Sequence, residues 1–202
     1  DVETFTTAEG FLNVEMFSFM APMIIGIFAI MAGVGAIAGE EESHTLDQLM
    51  ANPITRTSIV LHKAAALLVA LLAISTAMFV GLFSGSVLAD FELSLSGVAQ
   101  VLVSQFALAA VLGFIALAVG ASTGKKGLAA GAAAAVGVVG FLLDTFLSVV
   151  DVLDPARFIS VFYYFNSNDV ILNGINPVHF ITLVAIAAIA VVVSIWRFEK
   201  RD

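Results

Sequence analysis

The sequence contains no cysteine and few charged residues, and each shortage excludes a class of protein. Without cysteine, the chain forms no disulfide and no thiolate metal site. Charged residues make up only 12% of the chain and hydrophobic residues 60%, whereas soluble proteins average about 25% charged and 45–50% apolar residues. The composition therefore predicts an integral membrane protein.

Histidine is also scarce, which limits the chemistry that the chain can perform. His44, His62 and His179 form no pair at metal-ligand spacing and indicate no Ser-His-Asp arrangement. Between Gly120 and Gly124 lie three residues, whereas a P-loop needs four between its glycines and Ser or Thr after its lysine. The basic residues are too few and too dispersed for nucleic-acid binding. We predict no catalytic residue, no metal site, no bound cofactor and no nucleic-acid partner.

Long uncharged runs are what the sequence does contain. A transmembrane helix needs about 17–25 predominantly apolar residues, and five segments meet this requirement. The predicted fold class is all-α, a polytopic transmembrane helix bundle that forms a single domain over residues 1–202. The predicted spans are residues 17–38, 64–88, 98–121, 127–150 and 178–196.

The positions of lysine and arginine predict the orientation of these spans. All of these residues except Arg157 lie between spans one and two, between spans three and four, or after span five. By the positive-inside rule these segments and the C-terminus are cytoplasmic, in a multi-pass protein of the plasma membrane. An odd number of spans with an external start is unusual for a complete protein. We therefore expect one further helix before Asp1, which would bring the five visible spans to six.

Spans one and two are separated by a polar segment, GEEESHTLDQLMANPITRTSIVLHK, residues 39–63. Thr45 and Gln48 have the spacing of a capping box, and Asn52-Pro53 would end the helix that they begin. The predicted helix, residues 45–52, is too short to be stable alone in water. Its apolar residues recur at helical spacing on one face, which requires a partner. They are Leu46, Leu49 and Met50.

Spans three and four carry polar residues that allow two interpretations. Gln100 and Gln105 either bind across helices or line a path through the membrane. Asp144 lies about 25 Å along its helix from Gly127, near the outer interface, where it either has a function or is solvated. Span four is rich in alanine and glycine, so we expect it to be buried within the bundle.

The long outer connection, residues 151–177, is expected to contain a short helix at residues 155–165. Phe158, Ile159, Phe162 and Phe165 recur on one face of this helix. Aromatic residues at the membrane boundary are ordinary anchors, but they could also form a lid over an outward exit. The candidate outer-gate residues are Phe158, Phe162, Tyr163 and Tyr164.

The polar segment resembles a loop of type-2 class ATP-binding-cassette (ABC) exporter permeases, between their second and third helices. There, acids are followed by Gly-Thr-Leu, a short helix, Pro-x-x-Arg and a helix that opens with Lys. His44 stands where that class usually has glycine. The outer FYYFNSNDVILNGI and the final SIWRFEKRD also resemble the class. The matching positions in the loop are Glu40, Glu41, Glu42, Thr45, Leu46, Leu49, Pro53, Arg56 and Lys63.

This resemblance implies the membrane-spanning subunit of an ATP-driven exporter. Two permease chains, here as a homodimer, would pair in the bilayer, and two separate ATPase subunits would carry ATP and Mg²⁺. Residues 45–52 would be the coupling helix, with Leu46, Leu49 and Met50 seated in the ATPase. Glu40–Glu42 and Arg56 would hold that helix relative to the spans. Substrate would leave between the two permeases on the outer side.

The cargo and an alternative function follow from the same residues. A pathway walled by Phe, Leu, Ala and Gly suits hydrophobic or amphipathic cargo such as a drug, lipid or peptide. The alternative is a non-transporting membrane anchor or scaffold whose inner helix binds a cytoplasmic partner. Copurification discriminates between the two, because only a transporter would bring an ATPase. A secondary transporter is disfavoured, since the sequence shows no inverted repeat.

Overall fold

The computed structural model describes residues 17–89, 94–147, 157–166 and 170–201. Within these ranges every regular element is helical, which confirms the all-α fold class. Five of the described helices are long and apolar enough to cross a membrane. The helices are α1 (Phe17–Glu42), α2 (Thr45–Met50), α3 (Arg56–Ala89), α4 (Leu95–Thr123), α5 (Lys126–Leu147), α6 (Tyr163–Asn166), α7 (Val170–Asn173) and α8 (Pro177–Glu199).

The five predicted spans correspond to α1, α3, α4, α5 and α8, but α3 begins earlier than expected. It starts at Arg56 instead of residue 64 and contains 34 residues, a length of about 51 Å at 1.5 Å per residue. That exceeds the hydrocarbon core of about 30 Å. Residues 56–63 therefore add two helical turns to α3 before the predicted span. Residues 1–16 lie outside the described part of the chain.

α1 and α4 pack so closely that their backbones nearly touch. A Cβ atom at Gly33 would lie 2.1 Å from the carbonyl oxygen of Gly113, so only glycine allows this approach. Toward its end, α1 widens into a π-helical segment, Gly35–Gly39. Single π-helical turns inside α-helices occur frequently at functional sites, and this one immediately precedes the three glutamates.

α4 is the central helix of the bundle, and the prediction that span four is buried was wrong. In its most apolar 18-residue stretch, 83% of α4 is buried, against 17% for α5. α4 contacts α1, α3, α5 and α8, whereas α5 packs mainly on α4 and α1. Small side chains permit close helix packing but do not require it on every face.

The bundle has two ends, which we call inner and outer after the predicted topology. The inner end brings together the last turn of α1, α2, the first turns of α3, the α4–α5 turn and the residues after α8. The outer end holds the start of α4, the end of α5 and the outer segment, defined as residues 157–166. Candidate functional residues occur at both ends.

Candidate functional site

His44 forms the turn between α1 and α2 at the inner end. Its φ of 56° and ψ of 21° place it in the left-handed region, which glycine adopts freely and histidine more readily than most residues. The turn is closed by a hydrogen bond from the His44 amide to the Glu41 carbonyl at 3.1 Å. This conformation explains why glycine suits the position, and histidine occupies it at a cost of roughly 1–2 kcal/mol.

The predicted capping box at the start of α2 is wrong. His44, and not Thr45, is the N-cap residue, and it makes no side-chain capping bond. Instead, Thr45 Oγ1 donates to the Glu40 carbonyl at 3.2 Å, and Ser43 Oγ donates to the Gly39 carbonyl at 3.0 Å. The last carbonyls of a helix lack intrahelical partners. The two hydroxyls therefore terminate α1 instead of starting α2.

The apolar face of α2 docks on its own chain. Leu46 is only 3% exposed within the hydrophobic core, and the partly buried Leu49 packs against that core. Met50 is 36% exposed, and Asp47 and Gln48 are also exposed. The prediction that Leu46 faces a partner protein is therefore corrected, whereas the predicted partner contact of the partly buried Leu49 stays a prediction. Both bind α2 to the bundle, while the opposite face of α2 remains accessible.

The three consecutive glutamates each pair with a base from a different part of the chain. The backbone amide of Lys126 also donates to Glu42 Oε1 at 2.8 Å, and its Nζ lies 3.6 Å from Glu42 Oε2. The inner end of α1 is thus tied at once to α3, to α5 and to the residues after α8. We call these three ion pairs the inner network. The pairs are Glu40 with Lys63, Glu41 with Arg201 and Glu42 with Lys126.

Arg201 occupies the centre of the inner network. Its guanidinium pairs with Glu41 and donates to the Ala121 carbonyl at 3.0 Å, near the end of α4. Gly124 ends α4 with a φ of 66°, and a Cβ there would collide with the Glu41 carboxylate. The α4–α5 turn therefore requires glycine for its backbone and to leave room for this ion pair.

Arg56 binds the residues that end α8 and, among the described residues, does not pair with the glutamates. Its Nη1 donates to the Phe198 carbonyl at 2.8 Å and also to the Arg201 carbonyl. The guanidinium lies 5.4 Å from the centroid of the Phe198 ring. Cations near a helix C-terminus satisfy its free carbonyls, so Arg56 joins α3 to α8. Pro53 lies in the exposed turn between α2 and α3.

At the outer end, Asp144 is buried and fully hydrogen-bonded, so the interpretation that it is solvated was wrong. Its side chain is 4% exposed. Oδ1 accepts from Arg157 Nη2 at 2.9 Å and Nε at 3.1 Å, and Oδ2 accepts from Asn166 Nδ2 at 3.1 Å. The outer segment is thus bound to α5 by a buried, two-pronged ion pair.

The outer segment does not form the single helix predicted at residues 155–165. Residues 157–159 form a 3₁₀ turn, a bend follows at Ser160, and α6 begins at Tyr163. Ser160 Oγ donates to the Gly140 carbonyl at 2.7 Å and accepts from the Phe162 amide at 3.0 Å. The bond to α5 and the local turn at Ser160 interrupt the helix. Residues 155 and 156 lie outside the described part of the chain.

The interrupted helix also divides the candidate gate residues. Phe158 is 59% exposed, whereas Phe162 is 3% exposed and makes an edge-to-face contact with Phe141 at 5.6 Å. The rings of Tyr163 and Tyr164 meet that of His179, with centroid distances of 5.2 Å and 5.5 Å. The four residues therefore do not share one face, and Phe162 alone among them is fully buried.

The two glutamines of α4 have different environments. Gln100 Oε1 accepts from the Ile175 amide at 3.0 Å, so Gln100 binds the segment before α8. This contact favours packing over a role in a path. Gln105 is 1% exposed, and neither atom of its amide has a hydrogen-bond partner within the described ranges.

Comparison with known proteins identifies the family. The family model described as "ABC-2 family transporter protein" matches residues 1–202. The chain belongs to this family. The chain is therefore consistent with a transmembrane permease subunit. In this family ATP is normally hydrolysed by a separate partner ATPase. No curated protein and no solved structure matches the chain.

The inner network of this ABC-2 protein is only moderately stabilising. The paired side chains are between 25% and 46% exposed, and exposed ion pairs contribute about 0–1 kcal/mol each. The pairs therefore fix the relative positions of four elements without locking them. Within the described ranges, no group of three or more His, Asp and Glu residues could hold a metal ion.

Several residues of this ABC-2 protein's two sites were not predicted from the sequence. Lys126 and Arg201 pair with the glutamates, and Arg157 and Asn166 hold Asp144. One signal was available for Arg157, because it is the only base predicted on the outer side. The partners of the glutamates at the inner end are determined by helix packing, which cannot be predicted from sequence spacing.

Proposed function

We propose that the chain is the membrane-spanning subunit of an ATP-driven exporter, coupled to a separate ATPase through residues 40–63. The observation that carries this proposal is the inner network. Glu40–Glu42 immediately precede α2 and bind α3, α5 and the residues after α8. A force applied to α2 would therefore reach four elements of the bundle through short, direct contacts.

The accessible face of α2 is the proposed contact surface for the ATPase. Asp47 and Gln48 are exposed there, and Met50 is exposed at the border with the apolar face, whereas Leu46 is buried in the core. This arrangement divides the helix into a face that would bind the partner and a face that would transmit its movement. The inner end would then lie in the cytoplasm, with Arg56 fixing α8 to the base of α3.

The mechanism is a change in the relative populations of two bundle arrangements. ATP and Mg²⁺ bound to two ATPase subunits would draw the α2 helices of two permease copies together. Because the side chains of the inner network are between 25% and 46% exposed and their pairs are weak, α3, α5 and α8 can change partners at low cost. A ligand shifts such an equilibrium by its differential affinity for the two states.

An apolar groove supports hydrophobic or amphipathic cargo. Its volume is about 300 Å³, and it lies between α1 and α5, with Ile30, Leu112 and Phe141 among its lining residues. Gly127 and Gly131 of α5 have open space beside them, which would allow a second permease copy to approach closely. We therefore propose a homodimer in the lipid bilayer, with cargo moving along its interface.

The outer segment is the proposed gate for that cargo. Phe162 is buried against Phe141, which also lines the groove. Tyr163 and Tyr164 hold the start of α8 through His179, and Phe158 extends outward. Movement of this segment would open the outer end of the groove.

The test is copurification followed by transport-coupled ATP hydrolysis in proteoliposomes. We expect an ATPase to copurify, and Met50→Asp to abolish the stimulation of its hydrolysis, because a charge would enter the contact surface. Lys125→Gln is the matched control: Lys125 is exposed in the α4–α5 turn, and both substitutions lower the net charge by one. Full coupling in Met50→Asp would refute the contact surface, and a non-ATPase partner would support the anchor or scaffold function.

A further inference from the structure

α4 and α5 pack against each other in a constant register. A Cβ at Gly120 would lie 3.8 Å from the Cβ of Ala129, and one at Gly137 would lie 3.7 Å from Leu112. Gly120 and Leu112 are eight residues apart on α4, and Ala129 and Gly137 are eight residues apart on α5. The two helices run antiparallel, so these equal separations match. The register is therefore the same at both contacts.

Continued by seven residues toward the outer end, this register aligns Gln105 with Asp144. Seven residues make about two helical turns, so Gln105 lies on the face of α4 that carries Leu112. Asp144 likewise lies on the face of α5 that carries Gly137. Both side chains are buried, with 1% exposure for Gln105 and 4% for Asp144. The continued register therefore places an amide on α4 and a carboxylate on α5 on the facing sides of the two helices.

The outer segment occupies the space between these facing sides. In the same register Gly140 would face α4, yet a Cβ at Gly140 would instead meet Ser160 Oγ at 3.3 Å and Val161 at 3.7 Å. Asp144 is hydrogen-bonded to the outer segment through Arg157. The segment therefore takes the contacts that α4 would otherwise make with the outer turns of α5.

Gln105 has no hydrogen-bond partner in this arrangement. Both atoms of its amide are buried and unpaired within the described chain. An unmade hydrogen bond of a buried polar group is destabilising, and such groups in native structures need an explanation. Gln100, on the same helix, shows the usual outcome, because its Oε1 accepts from the Ile175 amide.

We propose that Gln105 is the alternate partner of Asp144. When the outer segment withdraws from between α4 and α5, Arg157 and Asn166 leave with it, and the Gln105 amide donates to the Asp144 carboxylate. The carboxylate then loses its counter-ion but keeps a hydrogen-bond donor in both arrangements, and the amide gains the bond that it lacks at rest. This inference rests on the proposed function for its purpose, which is to open the outer end of the groove.

The test measures release of the outer segment in the chain alone, reconstituted in nanodiscs. Val161 is 8% exposed, and the sequence contains no cysteine. Val161→Cys therefore introduces one thiol that a membrane-impermeant maleimide reaches only when the segment is released. Adding Gln105→Leu should slow this labelling about tenfold or more, because a hydrogen bond to a charged group is lost in the released state only. Gln105→Met should act in the same way.

Thermal unfolding of the same proteins provides the second readout. Gln105→Leu should leave the unfolding midpoint unchanged or raise it, because it removes an unpaired buried amide. Gln100→Leu is the matched control and should lower the midpoint without slowing the labelling.

Unchanged or faster labelling in Gln105→Leu would overturn the proposal. A lower midpoint, or misfolding of both Gln105 variants, would overturn it too, since either result would mean that Gln105 is bonded at rest. No ATPase is present in this experiment, so a failure of the proposed coupling through α2 would leave its result unaffected. The two proposals therefore fail separately.

Discussion

The two ends of the bundle hold their helices together by different means. At the inner end, three ion pairs with side chains 25–46% exposed connect α1 to its neighbours. At the outer end, Asp144 is 4% exposed and Arg157 17% exposed, and this pair binds the outer segment to α5. Exposed pairs are weak and exchangeable, whereas breaking a buried pair is costly. The inner end is therefore suited to transmit movement. The outer end is suited to hold one arrangement until Asp144 exchanges its partner.

The largest effect is expected when the outer pair is broken. Asp144→Ala leaves the Arg157 guanidinium in a mostly buried site without its carboxylate, and such a loss typically costs about 3–5 kcal/mol. We expect denaturant unfolding in detergent micelles to show this loss of stability. The additional substitution Arg157→Met should recover part of it, because the uncompensated charge is then removed. Equal costs for the single and the double variant would show that the pair is not coupled in the way the structure indicates.

A smaller effect is expected at the inner end, and it should depend on salt. Glu41→Gln removes the charge that pairs with Arg201, and partly exposed pairs contribute about 0–1 kcal/mol. Raising the ionic strength from about 0.05 to 0.5 M should reduce the difference in unfolding free energy between Glu41→Gln and the parent chain. Asp144→Ala is the control, because a buried pair is screened far less. If both differences responded equally to salt, the contrast between the two ends would be lost.

The extent to which sequence predicted the structure also differs between the two ends. The helical period predicted a short helix at residues 45–52, and α2 spans Thr45–Met50, because a helical period is a local feature. It did not reveal that Leu46 docks inward, since an apolar face looks the same whether its partner is another protein or the same chain. At the outer end, burial of Asp144 depends on Arg157 and on the bend at Ser160. Those contacts are formed by tertiary packing and have no local pattern.

The same limit explains the errors about α4 and α5. The alanine and glycine content of α5 indicated close packing, which does occur at Ala129 and Ala133, but composition does not say how many faces are covered. α4 became the central helix because Gly113 and Gly120 admit α1 closely. The proposed relation between Gln105 and Asp144 depends on the register between the two helices, so it was not accessible from sequence.

The smallest expected effect concerns the turn that joins the inner network to α2. His44 adopts a φ of 56°, which costs a residue with a Cβ roughly 1–2 kcal/mol. His44→Gly removes that strain but adds conformational freedom to the unfolded chain, worth roughly 0.5–1 kcal/mol. We therefore expect a net gain of a few tenths to about 1 kcal/mol in unfolding free energy, measured against His62→Gly. His62 is exposed within α3, where glycine should destabilise by roughly 1 kcal/mol.

A loss of similar size in both variants would mean that the His44 side chain contributes more to the inner end than its backbone strain removes. α2 would then be held by His44 in addition to Leu46, and the weakness assigned to the inner end would have to be revised.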